Sequence, residues 1–289
     1  MPAPVFIVRD YGHMCNTLHT FANSAALAAE HGRVLVNLIL DRYAQYFAGT
    51  AASSVAAFPP GRQFFPEAMT RLVGTDRLCR LLFSKKWRAR LSPFLFTIEA
   101  PDDFEVRTDF PPLRQIARDR RAIILNAWNI HVPALVERQA DNLRAFFSLA
   151  PAWQKRLDEW WAAEPRPSPL VGVHLRRAGP NYEKGEPHYR PDEFYAARMA
   201  EMTAALGPTT GFILCSDAPV DLAAYAGFKA RLGPGHPVLD LYSLARCDWI
   251  FGPFSTFSAW ASWFGKVPRF QLQDDQPLQL ANFRVHQFD

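Results

Sequence analysis

The sequence predicts an α/β protein of two lobes, each built on a parallel sheet. Three observations carry that expectation. Short apolar runs alternate with helical patterns in both halves of the 289 residues, as strand-helix-strand units require. A β-turn-α-β opening occurs twice, once at the N-terminus and again at "LVGVHLRR". Between them "AEPRPSPL", residues 163 to 170, is proline-rich and reads as a hinge, which divides the chain into 1–165 and 166–289.

Each element follows in order. "PVFIVRD" is a short buried strand, and "HTFANSAALAAEHGRVLVNL" is an alanine-rich helix stopped at Gly32, then a strand over Val34 to Leu38. Residues 50 to 120 are rich in prolines and aromatics and show poor periodicity. Helical pattern returns in "PALVERQADNLRAFF" and "AWQKRLDEWWAA". In the second half "LVGVHLRR" is a strand and "PDEFYAARMAEMTAAL" a helix, with Pro191 in its first turn and Asp192 and Glu193 at its positive end. "TTGFILCSD" is the next strand and "PVDLAAYAGF" a short helix. "CDWIFGPFSTFSAWASWFG" is a strand, a loop and a helix ended at Gly265.

Composition narrows the class. A hydrophobic fraction of 49% supplies sizeable cores, and a net charge of +4 from nearly balanced acids and bases lacks the basic tracts of a nucleic-acid binder. Cys15, Cys79, Cys215 and Cys247 are too widely spaced for a zinc or redox pair, so free thiols in a reducing, cytoplasmic compartment are expected. The N-terminus does not read as a secretory signal, and no apolar run reaches the roughly 20 residues that span a bilayer.

The chemistry begins at Arg176 and Arg177, which follow the apolar run "LVGVHL". In open α/β sheets ligands bind at the carboxyl ends of strands, and guanidinium groups match phosphate oxygens in pairs, so a diphosphate is the natural guest. A salt bridge to a carboxylate of the other lobe is the alternative. His174, two residues before Arg176, shares its side of the strand. The run Ser255, Thr256, Phe257 and Ser258 precedes a helix, where hydroxyls either cap the helix or join its free N–H groups in holding an anion. Two anion sites on successive elements point to a nucleotide diphosphate held without a P-loop or a G-x-G-x-x-G turn.

These residues carry a resemblance. "VGVHLRR", "FYAARM", "FILCSDAP" and "DLYSLARCDWIFGPFSTFSAWASWFG" occur in the order and spacing of the α1,2-fucosyltransferase family, with patterns shared by α1,6- and protein O-fucosyltransferases. "GHMCNTLHTFANSAALAAEHG" is similar to that family's Gly-Gly-Leu-Gly-Asn-Gln opening, with Gly12 and Asn16 kept, which the resemblance implies as donor contacts, and His13 and Cys15 in place of glycines. "LNAWNIHVPALVERQADNLRAFF" is similar to the segment that precedes the first lobe's last helix. The resemblance implies a GT-B fold, two Rossmann-like lobes, with an acceptor-side lobe at 1–165 and GDP-fucose held mainly by 166–289.

The implied roles follow the matched positions. Arg176 holds the donor diphosphate and neutralises departing GDP, Arg177 supports it or reaches the nucleotide, and transfer needs no metal or other cofactor. Ser255 and Thr256, in the loop with Phe257 and Ser258, take the remaining phosphate oxygens. His174 meets the ribose or sugar, and Asp217, ending the Ser-Asp strand, joins the donor contacts. Asp240 accepts from guanine N1 and N2 or else caps a helix. The partners implied are a nucleotide-sugar donor and a glycan acceptor, with no nucleic acid.

One departure matters. The family's Gly-Asp-Tyr after the arginines is "AGPNYEKGE" here, so the acid suspected as general base is missing, and Asp10, Glu183 and Glu186 are the substitutes. That gap leaves open an inactive nucleotide-sugar or glycan binder, alongside a transferase of another nucleotide-diphosphate sugar. Finally, "CRLLFSKKWRARLSPFLF", residues 79 to 96, mixes cations with Leu, Phe and Trp. It fits either a solvated helix or weak contact with the inner face of an anionic membrane.

Overall fold

A computed structural model of the chain describes residues 2–8, 12–38, 40–51, 56–60, 84, 89–101, 104–179, 181–186, 188–273 and 276–288. Two compact units emerge, one of Met1–Pro151 with Gln287–Asp289, the other of Ala152–His286.

In the first unit β1 (Val5–Ile7), α1 (Met14–Glu30) and β2 (Leu35–Asn37) form the expected opening. Gly32, at φ +64, turns the chain out of α1, a conformation that costs an L side chain and costs glycine little. The helix is buried along most of its 17 residues, and two of its buried polar side chains bond to backbone beyond it. Asn23 Oδ1 accepts from the Val132 N–H at 2.9 Å, and Thr20 Oγ1 donates to the Trp128 carbonyl at 3.0 Å. Next come α2 (Asp41–Ala44), β3 (Ala56–Phe58), β4 (Leu95–Glu99), β5 (Val106–Arg107), α3 (Arg114–Arg118), β6 (Ala122–Asn126), β7 (Ile130–His131), α4 (Pro133–Arg138) and α5 (Ala140–Phe146). The main sheet has the order β3-β2-β1-β6-β4 and is parallel except for β3. Phe21 stacks on Phe146 and meets Phe147 edge-on, both at 5.1 Å between centroids, closing α1 against α5.

The second unit starts with α6 (Pro151–Ala162) and continues through β8 (Leu170–Leu175), α7 (Asp192–Leu206), β9 (Gly211–Ser216), β10 (Lys229–Leu232), α8 (Pro237–Leu244), β11 (Trp249–Gly252), α9 (Thr256–Gly265) and β12 (Arg269–Gln271). Its sheet, ordered β10-β9-β8-β11-β12, is parallel throughout. Every residue of β8 is buried, as the continuous apolar run of a central parallel strand requires.

Several local expectations need correction. Pro191 is the N-cap of α7, in extended backbone, and the first turn begins with Asp192. "PVDLAAYAGF" forms only a 3₁₀ turn over Leu222–Tyr225, capped by Asp221, because so short a segment cannot repay helix nucleation. β10 and β12 are strands that the sequence did not announce. Cys15, Cys215 and Cys247 are buried free thiols; Cys79 lies outside the described residues. Among the described residues no helix is long and apolar enough to cross a membrane.

Candidate functional site

Chain order in the second sheet fixes where a ligand can bind. From β8 the chain moves to β9 and β10 on one side, then returns to β11 and β12 on the other. The reversal leaves a crevice beyond the carboxyl ends of β8 and β11. Arg176 leaves the first of these strands, and the 253–258 loop leaves the second.

The two strand ends are pressed together. A Cβ added to Gly252 would lie 2.8 Å from His174 Cβ and 2.9 Å from its carbonyl oxygen, so only glycine fits there. The His174 ring packs 5.1 Å from the Phe257 ring, and Tyr182 links the Arg176 side to the loop. Arg176 lies over the Tyr182 ring with Cζ 4.0 Å from its centroid, and the Tyr182 hydroxyl donates to the Phe254 carbonyl at 3.3 Å. Arg176 has no carboxylate partner among the described residues.

Arg177 is placed differently. Its guanidinium forms a short ion pair with Asp192, the first residue of α7, and Tyr225 donates to the same carboxylate oxygen. Burial works to raise the Asp192 pKa, but the hydrogen bonds from Arg177 and Tyr225 outweigh it and leave the value lowered. Arg177 thus has the salt bridge weighed as the alternative, although the carboxylate comes from its own unit. Asp217 fixes the backbone that follows: its Oδ1 accepts from the N–H of Arg177 at 2.7 Å and of Ala178 at 3.1 Å.

In the loop after β11, Ser255 is the N-cap of α9 and accepts from the Phe257 N–H at 3.2 Å. Ser258 is fully buried, and its hydroxyl accepts from Arg269 Nε at 3.0 Å, so it braces the loop from inside. Thr256 and Phe257 are half-buried in the first turn of α9, whose dipole is positive toward the crevice. His174 is 5% exposed and its Nδ1 finds no partner; burial first, then the charges of Arg269 and Arg176, push its pKa down to about 3. It is a neutral imidazole at pH 7.

Asp240 sits in the first turn of α8, on the same edge of the sheet. Its Oδ1 accepts from the Gly235 N–H at 2.9 Å. Burial raises its pKa to about 6, against the opposing backbone hydrogen bonds of Gly235 and His236. Gly233 is the floor of this pocket, since a Cβ there would lie 2.7 Å from Asp240 Oδ1 and 2.8 Å from Cys215 Sγ.

The remaining sequence candidates make none of these contacts among the described residues. Glu183 and Glu186 are exposed in the turn after Arg176, and among the described residues neither forms an ion pair with it. Gly12 and Asn16 belong to the first unit, where Gly12, at φ +63, is so close to Asn16 that a Cβ would lie 2.2 Å from its Nδ2. Asp10 lies outside the described residues. Sequence reasoning missed Tyr182, Asp192 and Arg269; the only signal for Arg269 was an arginine inside the apolar stretch "KVPRFQL".

Neither a protein-family model nor a curated protein sequence matches the chain. Solved structures do. Arabidopsis thaliana FUT1 in complex with GDP aligns with a TM-score of 0.61 at 11% identity, over 98% of this chain and 73% of that one. The α-1,6-fucosyltransferase NodZ soaked with GDP-fucose aligns at 0.55 and 17% identity, over 97% of both chains. POFUT1 in complex with GDP aligns at 0.51 and 13% identity, over 91% of this chain and 94% of that one. The chain therefore shares the α/β fold of these fucosyltransferases, the GT-B class anticipated from its motifs.

Proposed function

We propose that this protein is a glycosyltransferase that moves fucose from GDP-fucose to a hydroxyl of a glycan, with inversion at the anomeric carbon and no metal at the diphosphate. The observation that carries the reading is Arg176. It is a guanidinium without a carboxylate partner among the described residues, beside the positive end of α9, in a fold whose solved neighbours include complexes with GDP and GDP-fucose.

In this reading the bond between C1 of fucose and the diphosphate oxygen breaks as the acceptor oxygen bonds to C1 from the opposite face. Negative charge grows on the departing GDP, and Arg176 with the N–H groups of α9 meets it in place of a divalent cation. Asp217 contributes by holding the backbone that aims Arg176. Asp240 accepts from guanine, and neutral His174 offers its unpartnered Nδ1 to a ribose or sugar hydroxyl. The acceptor proton leaves to Asp10, Glu183 or Glu186. Residues 1–165 bind the acceptor.

Two measurements test this. A thermal-shift series should rank GDP far above UDP, TDP and CMP, with about 2.7 kcal/mol of stabilisation at a hundred times the dissociation constant. GDP release from GDP-fucose should then depend on a galactoside acceptor. Equal shifts with all nucleotides would remove the guanine assignment. The exposed positions of Glu183 and Glu186 favour one rival, a binding protein without catalysis; it predicts GDP binding with no turnover on any acceptor.

Contact with an anionic membrane through residues 79–96 belongs to the same proposal. Of that stretch, 79–83 and 85–88 lie outside the described residues, and Phe94, 71% exposed, is its described support. Flotation with phosphatidylserine vesicles at low salt should recover a bound fraction; an empty top layer would end the idea.

A further inference from the structure

Arg269 is a cation that the proposed reaction does not yet use. It begins β12, next to β11, and points its guanidinium into the protein behind the 253–258 loop. Nε donates to Ser258 Oγ at 3.0 Å and Nη2 donates to the Pro253 carbonyl at 3.1 Å. One side chain therefore grips the loop on both sides of Ser255, the cap of α9. It has no carboxylate partner among the described residues.

A covered cation without an anion is costly, and here the guanidinium is met only by neutral oxygens, the Ser258 hydroxyl and the Pro253 carbonyl. Burial pushes the Arg269 pKa down to about 10. Its charge, with that of Arg176, acts on the buried and unpartnered His174. Elsewhere in the unit a comparable guanidinium is neutralised: Arg177 has Asp192, and Arg198 has Glu201 at 2.6 Å. Arg176 and Arg269 have no such partner among the described residues and both act on His174, so the negative charge that would offset them is one that arrives with the ligand.

We propose that Arg269 is a positioning residue for the pyrophosphate group, holding the loop that presents the end of α9 and supplying a second unneutralised charge from behind it. The nucleotide in this assignment rests on the function proposed above, whereas the pyrophosphate does not. The site then prefers a diphosphate over a monophosphate, because Arg176 at the crevice and Arg269 behind the loop are both without a carboxylate partner among the described residues. Arg269 does not touch the reacting atoms.

The test is calorimetric titration of the full chain and of R269Q, R269K and S258A with GDP, inorganic pyrophosphate and guanosine. R269Q keeps a hydrogen-bonding amide and removes the charge. It should weaken GDP and pyrophosphate about tenfold or more, as expected for loss of a nearby charge at the effective dielectric of a protein, and leave guanosine unchanged. R269K should restore most of the loss. S258A cuts the link to α9 with the charge in place. It should weaken GDP a few-fold, and combined with R269Q it should cost no more than R269Q alone.

A purely structural Arg269 gives a different pattern, in which GDP and guanosine weaken together and lysine does not rescue; that pattern overturns the proposal, as does unchanged pyrophosphate affinity in R269Q. If R269Q does not fold, R269K and S258A decide by the same contrast between pyrophosphate and guanosine. Wild-type protein that binds pyrophosphate but not GDP would defeat the nucleotide reading and leave this assignment standing. Binding of neither overturns both.

Discussion

The two large sheets share a plan and differ in chemistry. Each has five strands, and in each the chain reverses beside the strand that opens its unit, β1 in the first and β8 in the second. At the carboxyl end of the first, the parallel strands finish in Ile7, Asn37, Glu99 and Asn126; Arg9, which follows β1 as Arg177 follows β8, lies outside the described residues. At the carboxyl end of the second stand Arg176, Arg177 and the positive end of α9, with Arg269 behind. The scaffold fixes where a ligand can sit, and the terminal side chains decide its charge. Amides and a carboxylate suit the neutral hydroxyls of a sugar, and unpaired guanidinium groups suit a pyrophosphate.

Breaking the cationic edge should have the largest effect. Arg176→Ala should lower kcat/KM about a hundredfold, the roughly 3 kcal/mol typical of one preorganised contact to a developing charge, with the melting temperature nearly unchanged. Steady-state kinetics with GDP-fucose checks it, and near-normal turnover would leave the comparison without its main support.

The neighbouring arginine should behave in the opposite way. Arg177→Ala removes the partner of a largely buried carboxylate and should cost about 3 kcal/mol of stability in denaturant unfolding. The folded Asp192 pKa lies below its unfolded value, so the pair's contribution is present above the unfolded pKa and is lost as pH falls through the folded one. Acid unfolding of the variant should lack that component. A variant that keeps its stability and loses GDP instead would place Arg177 on the nucleotide.

Asp240 separates binding from stability within one residue. Its pKa rises from 3.8 to about 6 on folding, so between those values the native state keeps a proton that the unfolded state has released. Stability therefore falls as pH climbs through that window, and above it the ionised carboxylate costs about 3 kcal/mol. Asp240→Asn should raise the melting temperature of the unliganded protein at pH 7.5, show no difference below pH 4, and weaken GDP. A lower melting temperature at pH 7.5 would contradict the burial argument. The smallest effect belongs to the loop before α1: Gly12→Ala should cost about 1–2 kcal/mol in denaturant unfolding, from the positive φ and the crowding by Asn16.

The parts legible in the sequence are those whose causes are local. β8 is a continuous apolar run, α1 is alanine-rich and ends before a glycine, and Arg176 follows a strand that a parallel sheet must bury. Partners far apart in the chain are not legible. Arg177 and Arg176 are adjacent and identical in type, and only the arrival of Asp192, fifteen residues later, separates their roles. Ser258 reads as a phosphate ligand until Arg269, eleven residues on, takes its hydroxyl. β10, "KARL", carries two cations in four residues and is an edge strand, so it has no apolar signature to find. The same holds for the described part of residues 50–120, whose strands β3, β4 and β5 are two to five residues long.

Gly252 sets how this edge of the protein can move. With β11 backbone packed against the Cα, Cβ and carbonyl of His174, the base of the crevice lies in the two central strands of a five-stranded sheet. It cannot fray as a loop does. Amide protons of Val173 through Leu175 and of Phe251 should therefore exchange with deuterium only through global unfolding, while those of the turn at 181–186 exchange early.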